Sequence, residues 1–278
     1  MSHSILMRAL CTDIDGTLLN IQRELSVRTI AAISKIRDKM PVILASSRMP
    51  SAMRHLQKDL GLLSHPLICY NGGYVIKYNG ISSSPTVIHS AQIPVSICSA
   101  ILGLAQNTSI HVSLYEEDHW YAPGMDEWAM RESQVTRVTP NLRSGVEVLD
   151  MWRENNVGAH KVMCMGRREE IGVVESTLRL MFPTQIHVYH SKSTYLEIAP
   201  KTISKASALS LLLRELYDIP LSEVIAFGDN HNDIELLQSV GLGIAVANAR
   251  DEVKAVAKEI TGKSTDDGVA LAIDKYFN

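Results

Sequence analysis

Asp13 and Asp15 stand two positions apart behind a short apolar run, in the segment CTDIDGTLLN. Alternate side chains of an extended chain share a face, so the two carboxylates are expected to occupy one small space. Carboxylates that close repel each other unless a cation lies beside them or one of them holds a proton. Both conditions describe a reaction centre, whereas the alternative is a solvated loop that carries two acids by chance.

A second acidic loop favours the reaction centre. Asp229 and Asp233 lie in the segment GDNHND, directly after the apolar run from Val224 to Phe227. Both acidic loops thus end predicted buried strands, and binding sites of parallel sheets lie beyond the C-terminal ends of the strands. Oxygen ligands with positions left for water and phosphate fit Mg²⁺ better than Ca²⁺ or Zn²⁺. We therefore expect Mg²⁺ as the cofactor.

A calcium-binding loop of the EF-hand type is the other metal site to weigh. Asp13, Asp15 and Glu24 stand at the first, third and twelfth positions of such a loop. The loop requires glycine at its sixth position. Leu18 stands there in the first acidic segment, and Ile234 in the second. Neither segment therefore fits a calcium loop.

Short apolar strands alternate with amphipathic helices over roughly the first 73 residues. Strands are predicted at Leu6–Thr12, Pro41–Ser46 and Pro66–Tyr70, and Ser26 can cap a helix between the first two. This order is typical of a parallel sheet with crossover helices. The same alternation of apolar strands and helices returns near Ser204 and continues to the end of the sequence.

The middle of the chain has a different pattern of predicted elements. Asn79-Gly80 is a strong hairpin turn signal, and Ile110–Tyr121 is predicted to be a hairpin, followed by a less regular segment to about Asn156. We predict an α/β fold: a Rossmann-like parallel-sheet core with an inserted α+β cap domain. The predicted bounds are 1–85 and 191–278 for the core and 86–190 for the cap.

Four segments, in this order, resemble the four motifs of haloacid dehalogenase-like phosphatases: DIDGTLL, ASSR, the lysine in PKTISKASAL, and GDNHNDIELL. The segments ICYNGG and STDDGVA look like the Cof-type, type IIB branch of that superfamily. The resemblance covers roughly the first 80 and the last 85 residues. It implies an Mg²⁺-dependent phosphatase that hydrolyses a small phosphate monoester, a sugar phosphate above all, through an aspartyl phosphate.

The resemblance also implies roles for the acidic residues. Asp13 would be the nucleophile that attacks phosphorus, and Asp15 would protonate the leaving alcohol and later deprotonate a water molecule. The carboxylates of Asp13 and Asp229 and the backbone carbonyl of Asp15 would hold Mg²⁺. Asn232 and Asp233 would complete or orient the metal shell.

Other residues of the matched segments would bind the phosphate or the substrate. Ser46 would donate a hydrogen bond to a phosphate oxygen, and Lys205 would balance the charge of the nucleophile and of the phosphoryl group. Arg48 and Asn71-Gly72 resemble residues that lie near the substrate, although a surface charge and a plain tight turn are the alternatives. Ser47 replaces the usual glycine of the second motif, which puts the geometry of that loop in question.

Composition narrows the possible partners and the location. The 278 residues carry a formal net charge of −3, and lysines and arginines are dispersed, so a nucleic-acid partner is not indicated. No run approaches the roughly 20 apolar residues of a membrane helix, and no signal peptide is recognised. Four widely spaced cysteines indicate neither a zinc site nor a disulfide framework. We expect a cytoplasmic enzyme for a small phosphorylated metabolite, of unspecified oligomeric state.

Two other functions use the same residues. A phosphomutase acting on a sugar phosphate would share every core residue and differ in how it retains the phosphorylated intermediate. A non-catalytic regulator that binds phosphate would need the site but no turnover. The sequence favours the phosphatase and leaves both alternatives to be tested by activity.

Overall fold

The chain divides into two compact units. The computed structural model describes residues 7–80 and 83–277, so Leu6, the first residue of the first predicted strand, lies outside the described residues. The first unit comprises the described parts of Met1–Ser47, Met53–His89 and Ser204–Asn278, and the second comprises Arg48–Ala52 and Ser90–Ile203.

An eight-stranded sheet forms the centre of the first unit, counted over the described residues. Side by side, its strands are β14 (Glu259–Thr261), β13 (Leu242–Val246), β12 (Val224–Gly228), β1 (Ala9–Thr12), β2 (Val42–Ala45), β3 (Leu67–Cys69), β4 (Tyr74–Tyr78) and β5 (Pro85–Ser90). The strands from β14 to β3 run parallel, and β4 is antiparallel to β3. The predicted parallel-sheet core is therefore confirmed.

Strand β1 lies inside this sheet, and its register with β12 places the two acidic loops side by side. All residues of β1, β2 and β12 are buried, as expected for parallel strands covered on both faces. Thr12 pairs with Phe227, and the backbone N–H of Asp13 donates to the carbonyl of Phe227 at 3.0 Å. The loops after β1 and β12 therefore leave the sheet at the same edge.

A polar or charged residue precedes or begins most helices of the first unit, and each helix buries part of its surface. The described ones are α1 (Val27–Ile36), α2 (Ser51–Leu60), whose first two residues group with the second unit, α7 (Lys205–Leu216), α8 (Ile234–Ser239), α9 (Asp251–Val256) and α10 (Gly268–Phe277). The hydroxyl of Ser26 accepts the N–H of Thr29 and caps α1, as the sequence predicts. Over the described residues, no helix combines the length and the apolar character needed to cross a membrane.

The second unit contains a mixed sheet with helices packed against it. Its strands lie in the order β10 (Ile186–Lys192), β11 (Tyr195–Pro200), β9 (Lys161–Met165), β6 (His111–Glu116), β7 (His119–Ala122) and β8 (Asn141–Leu142). Its helices are α3 (Val95–Ala105), α4 (Glu127–Thr136), α5 (Gly145–Asn155) and α6 (Arg168–Met181). Alternate strand residues such as Val112, Leu114 and Val162 form one apolar core with α3, α5 and α6.

The second unit differs from the sequence expectation in two places. It extends to Ile203, whereas the predicted cap ends at 190, because β11 pairs with β9 and carries β10 with it. The segment up to Asn156, predicted to be less regular, contains α4 and α5. Both helices start at polar caps, and the Ser144 and Glu147 side chains form a capping box.

A polar network that reaches from an exposed aspartate to two buried side chains fixes the start of α4 to the sheet of the second unit. Asp126 accepts the N–H groups of Trp128 and Ala129 through Oδ1 and the ring Nδ1–H of His111 through Oδ2 at 2.7 Å. Because a carboxylate only accepts, Nδ1 carries hydrogen, and Nε2 forms a hydrogen bond with the hydroxyl of Ser113 at 2.8 Å. Asp126 is therefore both a helix cap and the partner of a buried histidine.

Substitution of Asp126 by alanine is expected to destabilise the protein by about 2 kcal/mol, because it removes a cap and leaves a buried ring nitrogen unpaired. Urea denaturation measures this change. Glu127→Ala, at the exposed neighbouring position, serves as the control and should stay within about 0.5 kcal/mol of wild type. Equal stabilities of the two variants would contradict the role given to Asp126.

Candidate active site

Lys205 lies between two aspartates that are distant from it in sequence. Its ammonium group donates to Oδ1 of Asp13 at 2.5 Å and to Oδ1 of Asp233 at 2.7 Å. The side chains of Lys205 and Asp233 are fully buried, and that of Asp13 is 8% exposed. Ion pairs shielded from water in this way are strong but costly to break, because any remaining charge is left without a partner.

Local structure brings these three side chains together. Asp13 follows β1, and Asp233 ends the short 3₁₀ turn that follows β12. Lys205 is the first residue of α7, whose N-cap is Ser204; the Ser204 hydroxyl accepts the N–H of Ser207. The cap fixes where α7 begins, and thereby the point from which the Lys205 side chain reaches the two carboxylates.

Asp233 holds the loop that carries Asp229. Its Oδ2 atom accepts the backbone N–H groups of Asp229 and Asn230, at 3.0 and 3.1 Å. Both oxygens of Asp233 are thus engaged by protein donors, one by Lys205 and one by the loop. This arrangement suits a residue that orients the loop better than one that offers an unshared oxygen to a cation.

Asp229 packs against the turn that follows Asp13. Its Oδ1 atom accepts the hydroxyl of Thr17 at 3.1 Å. Gly16 has φ +84°, and a Cβ atom at that position would overlap the Asp229 carboxylate. Glycine is therefore required there both by the backbone conformation and by the space that Asp229 occupies.

The three carboxylates form a cluster with an excess of negative charge. One oxygen each of Asp13, Asp229 and Asp233 lies within 4.8 Å of the other two. Lys205 supplies one positive charge to the three carboxylates, so two negative charges remain when all are ionised. Hard oxygen donors with this charge match a divalent cation such as Mg²⁺, and the residues therefore fit the expected metal.

The pKa values of the clustered side chains reflect their burial and the excess of negative charge. Burial raises the pKa of Asp13 well above its usual range, and Lys205 opposes the rise. Burial likewise raises the pKa of Asp229 to about 6, and the charge of Asp233 adds to the effect. Burial alone would lower the pKa of Lys205, but Asp13 and Asp233 outweigh burial and raise it. Lys205 is therefore charged, and a further cation would favour the ionised carboxylates.

Asp15 does not join this cluster through its side chain. Strand β1 ends at Thr12, so the alternation expected to place Asp13 and Asp15 in one space does not continue to Asp15. The Asp15 side chain is 41% exposed, and its Oδ1 atom lies 3.7 Å from a guanidinium nitrogen of Arg23. The structure brings Asp233, rather than the Asp15 carboxylate, next to Asp13.

The residues of the second motif lie after β2. Ser46 is 2% exposed, and its backbone carbonyl accepts the N–H of Asn71 at 2.9 Å. Ser47 is not among the residues with positive φ, so serine adopts the conformation found there without strain. Arg48 is buried, donates to the carbonyl of Ala52 at 3.1 Å, and groups with the second unit.

Asn71 connects the loop after β3 to the loop after β12. Its Oδ1 atom accepts a hydrogen bond from Nδ2 of Asn232 at 2.8 Å. Asn71 and Gly72 both have positive φ, at 57° and 110°. A Cβ atom at Gly72 would lie 2.6 Å from the carbonyl oxygen of Ser204, so this turn packs directly on the N-cap of α7.

Two side chains of the site were missed at the sequence level. Thr17 binds Asp229, as described, and Asn248 donates to the carbonyl of Gly16 at 2.7 Å while accepting the N–H of Ser264 at 2.8 Å. Asn248 follows the end of β13, so the strand-end rule that selected the other loops would also have found it.

Comparison with known proteins decides the family. The family described as haloacid dehalogenase-like hydrolase matches residues 10–273. The chain belongs to this family. The resemblance to haloacid dehalogenase-like phosphatases of the Cof-type branch is confirmed, and the protein is a hydrolase that acts on phosphate esters.

Individual relatives of this hydrolase cover nearly its full length. A Haemophilus influenzae protein whose name places it among the phosphatases is 30% identical and matches 98% of this chain and 99% of its own. The 5-amino-6-(5-phospho-D-ribitylamino)uracil phosphatase YitU of Bacillus subtilis is 26% identical, with 96% of both chains covered. A solved haloacid dehalogenase-like hydrolase from Bacteroides thetaiotaomicron has a TM-score of 0.86 and 26% identity, covering 98% and 100% of the two chains.

Lys205→Met tests the charge balance of the site. Methionine fills similar space but leaves two buried carboxylates without their cation, and we expect a loss of about 3–5 kcal/mol of unfolding free energy without added metal. Lys254→Met removes an ion pair with an almost fully exposed aspartate and should cost less than about 1 kcal/mol. A Lys205→Met protein as stable as wild type would show that the cluster does not need the lysine charge.

Gly16→Ala tests the packing of the turn against Asp229. The added methyl group must displace the Asp229 carboxylate, and displacements of this kind lower turnover by roughly 10²-fold. Gly103→Ala is the control, because a Cβ atom there meets nothing within 4 Å and should stabilise α3 by up to about 1 kcal/mol. Phosphatase assays together with circular dichroism separate lost activity from lost folding.

Proposed function

We propose that this protein is an Mg²⁺-dependent phosphatase that hydrolyses a small phosphate monoester through a phosphorylated Asp13. The observation that carries the proposal is the buried cluster of three carboxylates around Lys205, with its excess of negative charge. An acidic, water-poor site is a poor place for an anionic substrate unless cations neutralise it. The fixed lysine and a divalent ion would supply that neutralisation.

In the first step, a carboxylate oxygen of Asp13 attacks phosphorus and the bond to the leaving oxygen breaks. The contact with Lys205 favours the ionised, nucleophilic form of Asp13 and fixes the carboxylate before attack. Lys205 remains beside the phosphoryl group that Asp13 then carries. The hydroxyl of Ser46 would donate a hydrogen bond to a phosphate oxygen.

Asp15 handles the protons in both steps. It donates a proton to the leaving alcohol, and the resulting carboxylate takes a proton from the water molecule that attacks the phosphorylated Asp13. The water oxygen bonds to phosphorus while the bond between phosphorus and the Asp13 oxygen breaks, which gives inorganic phosphate and free Asp13. The half-exposed position of Asp15 suits this role, because the group must meet the leaving alcohol and then water.

Asp13, Asp229 and the backbone carbonyl of Asp15 would hold the metal, with Asn232 and Asp233 orienting the shell. The bound cation would supply charge neutralisation for the incoming phosphate. Asp233 contributes by holding the backbone of Asp229, and Thr17 contributes by holding its side chain. Asn248 keeps the Asp15–Gly16 turn in place through the carbonyl of Gly16.

We assign substrate choice to the second unit, which is inserted between the parts of the first and would act as the cap. A sugar phosphate or sugar-alcohol phosphate is the substrate class that we favour. The support is the name of the Bacillus subtilis relative, whose substrate carries a phosphorylated ribityl chain. Arg48, which groups with the second unit, and Gly72 are candidates for substrate contacts.

A phosphate-release assay over a panel of sugar and sugar-alcohol phosphates tests the proposal. Wild type is expected to release phosphate with Mg²⁺ and to stop after chelation of the metal. Asp13→Asn should lower kcat by at least roughly 10³-fold, because the amide is not a nucleophile. Asp59→Asn, an exposed aspartate on α2, is the matched control and should retain full activity.

The rival functions give different results in the same assay. An isomerised sugar phosphate without stoichiometric phosphate would indicate the phosphomutase. Binding of phosphate esters without turnover, together with an Asp13→Asn protein that still functions in cells, would indicate the regulator. Either result would overturn the phosphatase mechanism.

A further inference from the structure

No step of the proposed mechanism uses the segment STDDGVA, although the segment resembles the Cof-type branch. Its first residue, Ser264, begins a short 3₁₀ turn after β14. Strand β14 runs parallel to β13, and Thr261 pairs with Val246 at the ends of the two strands. The loops after β13 and β14 therefore leave the sheet at the same edge as the two acidic loops.

Hydrogen bonds and close packing hold this segment in one conformation. The N–H of Gly268 donates to the carbonyl of Lys263 at 3.0 Å, and the hydroxyl of Thr261 donates to the carbonyl of Gly268 at 2.7 Å. A Cβ atom at Gly268 would lie 2.1 Å from the carbonyl oxygen of Gly262, so the two ends of the loop are in direct contact. The backbone N–H of Ser264 therefore has a fixed direction.

The side chain of Asn248 connects this segment to the turn that follows Asp13. Its Oδ1 atom accepts the N–H of Ser264 at 2.8 Å, and its Nδ2 atom donates to the carbonyl of Gly16 at 2.7 Å. A backbone N–H only donates and a backbone carbonyl only accepts, so these two partners determine the orientation of the amide. Asn248 is exposed, and water competes for its bond to Gly16. The bond to Ser264 favours Asn248 in that competition, because it holds the amide in the orientation that donates to Gly16.

Gly16 needs a partner of this kind because of its own conformation. Its φ is +84°, and the Asp229 carboxylate occupies the space that a Cβ atom would take, so glycine is required. Glycine also leaves its neighbouring peptide groups more rotational freedom than any other residue does. Gly16 directly follows Asp15, whose carboxylate must come within hydrogen-bond distance of the leaving alcohol. The bond from Asn248 restricts the freedom that glycine introduces beside Asp15.

We propose that Asn248 is a positioning residue for proton transfer by Asp15, and that the STDDGVA segment contributes by orienting the Asn248 amide. Asn248 holds the carbonyl of the peptide group that joins Gly16 to Thr17. The hydroxyl of Thr17 donates to Asp229 and holds the other side of the same peptide group. Together they set the direction in which the Asp15 side chain leaves the turn. This inference rests on the proposed function, in which Asp15 transfers both protons.

Steady-state kinetics of Asn248→Asp test the role of the amide, with the sugar phosphate that wild type hydrolyses fastest. Aspartate keeps the acceptor for Ser264 but places a second oxygen against the carbonyl of Gly16. Because a displaced proton donor slows bond breaking rather than substrate binding, we expect kcat to fall roughly 10- to 100-fold while KM changes less than about twofold. Asn155→Asp is the matched control, since Nδ2 of Asn155 donates to the carbonyl of Met151 at 2.8 Å on α5, and it should retain the wild-type kcat.

Substitutions at Ser264 test whether the segment acts through Asn248. Ser264→Pro removes the N–H that orients the amide. Proline suits the first position of a helical turn, and Lys263, with ψ 158°, already has the extended conformation that a following proline favours. We expect kcat to fall about tenfold, with no further loss when Ser264→Pro is combined with Asn248→Asp. Ser264→Ala, the conservative variant, keeps the N–H and should behave as wild type.

Each alternative outcome identifies what is wrong. Wild-type kcat in both Asn248→Asp and Ser264→Pro would overturn the inference, while the phosphatase mechanism would stand. A raised KM with unchanged kcat in Asn248→Asp would overturn it as well and would place Asn248 on the substrate. Additive losses in the double variant would show that Ser264 does not act through Asn248. Absence of phosphate release by wild type would overturn the proposed function and the inference together.

Discussion

The buried ammonium group of Lys205 is the interaction on which the site depends. A charged group this far from water is stable only with charged partners at hydrogen-bond distance, and Asp13 and Asp233 provide them from 192 and 28 residues away in sequence. One cation thus joins the loop after β1, the start of α7 and the loop after β12. Since Asp233 also binds the backbone of Asp229, the position of Asp229 depends indirectly on the same lysine.

The cluster illustrates a conflict between stability and function within one fold. Three carboxylates close to one another repel, and the rest of the first unit must compensate for the unfavourable charge. The compensation comes from the fully buried strands β1, β2 and β12, which hold the loops at one edge of the sheet. A cation that binds only the folded state would reduce the repulsion and stabilise the protein.

The sequence predicted the acidic loops and their meeting place, because strand ends of a parallel sheet converge whatever the spacing along the chain. It did not predict that the Asp15 side chain is partly exposed to solvent. The prediction treated Asp13 and Asp15 as alternate residues of one strand, but β1 ends at Thr12. It missed Asn248, because the strand-end rule was not applied to the residues that follow β13. Helices α4 and α5 were missed because their starts depend on the capping side chains of Asp126 and Ser144 more than on apolar periodicity.

The long separation between Asp13 and Lys205 has a consequence for biosynthesis. Ribosomes add about 5–20 residues per second, so roughly 10–40 s pass between the synthesis of Asp13 and that of Lys205, 192 positions later. Strand β1 can pair with β2 early, but β12 emerges after the continuous segment Ser90–Ile203 has been made. The nascent chain therefore carries an apolar strand edge and an unpaired Asp13 through most of translation, a period in which chaperone protection is most valuable.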